Sequence, residues 1–101
     1  MIRVRFDEAA REELLAETAY YARQQPGLAA RFVQSVEDTV ARVVAFPHAG
    51  TPGPAHTRRA HISDFPFSVV YRVEDDEIVV FALAHHACRP GYWRDRAEHD
   101  P

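Results

Sequence analysis

Residues 65–93 read FPFSVVYRVEDDEIVVFALAHHACRPGYW. Phe67, Val69, Tyr71 and Val73 alternate with Ser68, Val70 and Arg72, the two-residue period of a strand. Glu74-Asp75-Asp76-Glu77 is too polar to continue it and reads as a turn. Ile78 to Ala84 is then apolar at every position, as in a strand buried on both faces. The two strands form an antiparallel hairpin whose second arm is the most buried strand of a sheet. If the alternation runs on unbroken, His85 continues the Val79-Phe81-Leu83 face and caps the core.

Upstream of this hairpin, Thr57 to Ile62 reads as a further strand, and Asp64-Phe65-Pro66 turns the chain into Phe67. Residues 47–56 hold three prolines and two glycines and read as a loop, too short for a domain linker. Before that loop, Phe32, Val36, Val40 and Val43 recur at helical spacing and predict a helix over about Leu28–Ala45. Ala10, Leu14 and Tyr21 do the same for Glu8 to about Gln24. Asp7 is placed to cap that helix, and Glu8 complements its dipole. Gln25-Pro26-Gly27 separates the two as an antiparallel helical hairpin. Ile2, Val4 and Phe6 alternate with Arg3 and Arg5, which predicts a first strand with one buried face.

The order is therefore strand, helix, helix, three-stranded antiparallel meander, then a short C-terminal turn or helix. That is an α+β fold, with the helical hairpin packed on one face of one sheet. The opposite face carries Arg3, Arg5, Arg72 and one row of the Arg58–His61 strand. With no helix assigned to cover it, this face is the candidate working surface. At 101 residues the chain reads as a single domain, 1–101, with an ordinary apolar fraction of 47%.

The formal charge is −3, and all twelve basic residues are arginine. Neither half of the chain is basic, so nonspecific nucleic-acid binding by bulk charge has little support, while a local arginine patch remains open. No apolar run approaches the roughly 20 residues of a membrane span, and no secretory leader is recognisable. A single cysteine excludes an internal disulfide framework and, with the lack of targeting signals, points to a reducing cytoplasm.

The stretch from His85 to Trp93 raises three chemistries. A metal site is disfavoured: there is no Cys-x-x-Cys and no helical His-x-x-x-His, and neighbouring His85 and His86 point to opposite faces of a strand. Cys88 as a nucleophile lacks a demonstrable oriented base, and a thiol packed in a turn is the plainer reading. His85, Arg89 and Tyr92 could act as base, phosphate clamp and acid in RNA cleavage. The plainer alternative has His85 capping the core, Arg89 paired with a carboxylate, and Tyr92 with Trp93 packing the tail onto the sheet. Arg58-Arg59 is either a solvated strand start or part of the arginine surface.

Taken together, FPFSVVYRVEDDEIVVFALAHHACRPGYWRDR resembles the C-terminal signature of the RelE/ParE superfamily of bacterial toxins. The residues that carry the resemblance are Phe65-Pro66-Phe67, Val70-Tyr71-Arg72, His85, Arg89-Pro90 and Tyr92-Trp93, and VRFDEAAREEL with the long helical hairpin extends it over nearly the whole chain. The resemblance implies the toxin of a type II toxin–antitoxin pair, assembled with a cognate antitoxin in a hetero-oligomer and needing no cofactor. RelE-like members cut messenger RNA on the ribosome. ParE-like members act on DNA gyrase without an established hydrolytic site. Ser68 stands where the RelE pattern carries a functional arginine, and the chain has no lysine, so the resemblance favours the ParE branch. It implies target-binding candidates Arg58, Arg59, Arg72, His86, Arg89 and Trp93, with no favoured catalytic residue. On the RelE alternative, a ribosome-dependent endoribonuclease, the catalytic set is His85, Arg89 and Tyr92.

Overall fold

The computed structural model describes residues 2–100. In chain order its elements are β1 (Arg3–Phe6), α1 (Glu8–Gln24), α2 (Leu28–Ala45), β2 (Thr51–Pro52), β3 (Arg58–His61), β4 (Phe67–Val73), β5 (Glu77–His85) and α3 (Arg94–Glu98). One five-stranded sheet has the order β1-β5-β4-β3-β2. β1 runs parallel to β5, and every other neighbouring pair is antiparallel. The expected α+β architecture is present, with one addition: the segment read as a loop contains the edge strand β2. It pairs Thr51 with Arg59 and Pro52 with Arg58, and an edge is where a proline is tolerated in a sheet.

Local chemistry explains the helices. The Asp7 carboxylate accepts from the Ala9 amide at 3.1 Å and satisfies one of the open donors of α1. Gly27, at φ 83°, makes the reversal between α1 and α2 in a conformation that costs glycine little. α2 buries Phe32, Val36, Thr39 and Val43 against the sheet. Tyr21, Phe32, Phe65 and Phe67 then meet ring to ring, with centroids 4.9–5.6 Å apart and mostly edge to face. Phe65 and its Asp64 turn thus lock the start of the β4–β5 hairpin onto the helices.

The strand phase does not run unbroken through β5. Val70 pairs with Ala82 and Tyr71 with Val80, so Phe81 is an extra residue between them. This bulge turns both Phe81 and Ala82 away from the helices, to the side of Val79 and Val70. Ile78, Val80 and Leu83 face the helices. His85 consequently lies with Leu83 and against the Phe67 ring, 4.9 Å centroid to centroid, on the face opposite Val79 and Phe81. The expected continuous Val79-Phe81-Leu83-His85 face is corrected: one inserted residue exchanges the two faces.

The second face of the sheet is not open either. The C-terminal turn and α3 lie across it, and Trp93 and Ala97 pack on Val70, Val79, Phe81 and Ala82. Arg72 is enclosed by this cover. It pairs with Glu74 and Asp100, donates to the carbonyls of Ala97 at 3.0 Å and Ala55 at 3.4 Å, and lies 4.8 Å from the centre of the Phe81 ring. Arg5 reaches Glu77 and the same Asp100. The expectation of an uncovered arginine face therefore fails at its centre, because residues 93–100 supply both apolar cover and counter-charge.

On the helix side, the buried Tyr71 hydroxyl donates to the Pro47 carbonyl at 2.8 Å and fixes the loop before β2. Gly50 lies directly against that hydroxyl and the Arg59 backbone, with no room for a Cβ. Gly50→Ala should therefore destabilise the fold by about 1–3 kcal/mol. Chemical denaturation with and without the substitution measures this. An unchanged midpoint would show that the loop moves freely.

Candidate target-facing site

Beyond β4, the end of β5 and the turn into α3 enclose a groove of about 840 Å³ with β3 as its far wall. Residues from four separate stretches line it: Arg59 and His61 from β3, Ser68 from β4, His85 and His86 from the end of β5, and Arg89, Tyr92 and Trp93 from the turn, although the His85 ring itself lies against Phe67 on the helix face. The sheet register brings them together. His61 pairs with Ser68 across β3–β4, and Ser68 with Ala84 across β4–β5.

The imidazoles have different settings. His86 lies past the last residue of β5, its amide held by the Pro66 carbonyl at 2.9 Å. Its Nε2 is 3.1 Å from the Ser68 hydroxyl, and its ring stacks on His61 at 5.1 Å. His85 accepts the Ala87 amide on Nδ1 at 2.9 Å, which leaves a proton to Nε2 when the ring is neutral. Cys88 is exposed in the turn rather than packed. Among the described residues no group of three or more His, Cys, Asp and Glu side chains is arranged to hold a metal.

The candidates divide by position. Arg59, His86, Arg89 and Trp93 line this groove, together with His85 and Tyr92. Trp93 is 8% exposed and holds the turn to the sheet. Arg59 and Arg89 are exposed, and neither makes an ion pair or side-chain hydrogen bond among the described residues. Arg58 points elsewhere and donates to the carbonyls of His48 and Gly50 at 3.0 and 2.8 Å. Arg72 lies under α3, beside a different hollow lined by His56 and Glu98.

Tyr92 is tied to a residue that the sequence pattern alone did not single out, Glu13. The Tyr92 hydroxyl donates to Glu13 Oε2 at 2.7 Å. Burial, and secondarily the hydrogen bond and charge of that carboxylate, push the phenol well above its ordinary range. The Glu13 carboxylate also takes Arg96 at 2.9 and 3.2 Å and the Leu83 amide at 3.1 Å, while Arg96 donates to the Phe81 carbonyl at 3.0 Å. One carboxylate therefore ties α1, the bulged part of β5, the turn and α3 together. A signal existed: Glu13 is three residues after buried Ala10 and next to Leu14 on the inward stripe of α1, where an acid needs a partner.

Known proteins share this architecture. The family model described as "ParE toxin of type II toxin-antitoxin system, parDE" matches residues 4–90. A curated protein of Sinorhizobium fredii named "Putative toxin Y4kP" is 32% identical over 85 residues, covering 82% of this chain and 88% of its own length. A solved structure described as "Chromosomal ParDE TA system from P. aeruginosa" superposes with a TM-score of 0.72 at 26% identity, covering 84% of this chain and 96% of that one.

Glu13→Gln tests the reading of the cluster. Removing the charge should move the Tyr92 titration down, while burial holds it above that of free tyrosine, about 10. Near-UV titration against a Tyr92→Phe control measures it, and no downward movement would refute the contact. Because the folded chain keeps this proton after the unfolded chain has lost it, the associated stability is present below about pH 10 and is lost as pH rises.

Proposed function

This chain belongs to the ParE toxin family of type II toxin–antitoxin systems, and on that footing we propose that it arrests growth by binding DNA gyrase. A cognate antitoxin bound to the toxin holds it silent until the antitoxin is lost. The observation that carries this reading is the match to the ParE family model over residues 4–90. The likeness to the P. aeruginosa structure, described as a ParDE toxin–antitoxin system, supports the antitoxin as partner.

The geometry supports action by binding rather than by hydrolysis. Acid–base cleavage of RNA needs a proton donor free to reach the leaving oxygen. The Tyr92 hydroxyl is instead engaged as a hydrogen-bond donor to Glu13, and its phenolate form is strongly disfavoured. Ser68 is buried and engaged with His86, so β4 presents no cation to the groove at that position. The target-binding surface consists of Arg59, His86 and Arg89 around Trp93, with Arg58 and Arg72 holding the loop and tail that frame it.

A second reading, the ribosome-dependent ribonuclease, draws support from one fact: His85, Arg89 and Tyr92 do line a common groove. Purified toxin added to a gyrase supercoiling assay separates the two. Inhibition at near-stoichiometric toxin, reversed by the antitoxin and weakened by the Arg59→Ala, Arg89→Ala double variant, is the expected result. Untouched gyrase together with arrested translation and cleaved messenger RNA would replace the proposal with the second reading.

A further inference from the structure

The groove beside β5 continues into a second hollow of about 510 Å³ on the other side of β3. Arg59 and His61 line both. The second hollow adds Arg42 and Phe46, the latter 65% exposed at the end of α2. The first hollow lies on the Val70–Trp93 face of the sheet and the second on the Val43–Tyr71 face. They share Arg59 and His61, so a trough from Phe46 to Arg89 runs around the β3 edge of the sheet. The chain carries fifteen acidic residues and a net charge of −3, yet among the described residues no Asp or Glu lines either hollow. Arginines and histidines line both. Four of the twelve arginines, Arg42, Arg59, Arg89 and Arg94, thus share a lining free of acids, which the overall charge conceals.

Their state is as telling as their number. Arg59 and Arg89 make no ion pair among the described residues. Arg94 at the far rim is the one that does, with Glu98. Arg42 donates one bond to the His61 carbonyl and is otherwise exposed. Arginines of this kind suit bidentate contacts to phosphate oxygens. Phe46 and the stacked His61–His86 pair present aromatic surface beside them. A positive groove that follows a backbone, interleaved with rings on which bases can stack, is how proteins hold a single nucleic-acid strand without reading its sequence.

We propose that the trough from Phe46 across Arg59 to Arg89 binds a single-stranded phosphodiester chain, with arginines on the phosphates and Phe46 and the His61–His86 pair against the bases. The free toxin makes this contact, so it does not depend on gyrase being the target. DNA and RNA share the recognised chemistry.

Fluorescence anisotropy with labelled oligothymidylate, oligouridylate, a duplex and a labelled polyglutamate peptide tests it on the whole chain. Both single strands should bind, and affinity should fall with salt. Arg59→Ala with Arg89→Ala should weaken both roughly tenfold and reduce the salt slope by about 0.7 per lost contact. Phe46→Ala should weaken binding several-fold without changing that slope. Arg3→Ala, in an exposed pair with Asp76, should change neither. A preference for one sugar identifies the natural strand and keeps the proposal. Binding of polyglutamate alone assigns the trough to an acidic protein segment and overturns it. Oligonucleotide binding that survives the double arginine variant overturns it equally.

Discussion

β1 accompanies β5 only as far as Val80, after which α1 leaves the sheet plane. From that point β5 needs polar partners on its outer side that no strand supplies. Glu13 and Arg96 provide them, an oxygen for the Leu83 amide and a guanidinium hydrogen for the Phe81 carbonyl, while binding each other at 2.9 Å. The side chains act here as a substitute strand. Backbone groups left unpaired in such a place cost about 1–3 kcal/mol each, and the charged partners, each about a quarter exposed, need one another for the same reason. This one arrangement joins the bulge, the turn and α3 to α1.

The two faces of the sheet are consequently covered by different means. The helix face is apolar and aromatic, and its covering elements adjoin each other in the chain. The other face is covered by a five-residue helix with little apolar surface of its own, so ion pairs complete the cover. Arg72 and Arg5 converge on Asp100, and Arg96 on Glu13. Arginines that look like a surface for a partner in the sequence are in fact the fasteners of the tail. Among the described residues Arg59 and Arg89, like Arg11, Arg23 and Arg31 on the helices, make no ion pair, and these two lie to the side of that cover, along the proposed trough.

Elements whose determinants are local could be read from the sequence. The bounds of α1 and α2, the cap at Asp7 and the polar turn at Glu74–Glu77 each depend on residues within a few positions. The β4 alternation also held, through Phe67, Val69 and Tyr71. The features that escaped depend on groups far apart in the chain. The bulge at Phe81 leaves no mark in a run that is apolar at every position, because either phase satisfies it. β2 is two residues long, and only its pairing with Arg58 and Arg59 makes it a strand. The fate of Arg72 required knowing where Asp100 would be. Within the site, His85, Arg89 and Trp93 could be named from sequence, but their grouping with Arg59, and the separation of Arg58 from them, required the register of β3.

The parallel pairing of β1 with β5 has a consequence in time. Residues 3–6 find their strand partner at residues 77–80, and the fastening of the sheet waits for Asp100. Contacts this far apart in the chain are slow to form, since a large loop must close before they contribute. During synthesis the first strand and the helical hairpin emerge with no sheet to pack on. The helices and the first strand take up their final relation to the sheet only after residues 77–100 have been translated. The order of synthesis thus makes the closing of the sheet a late event.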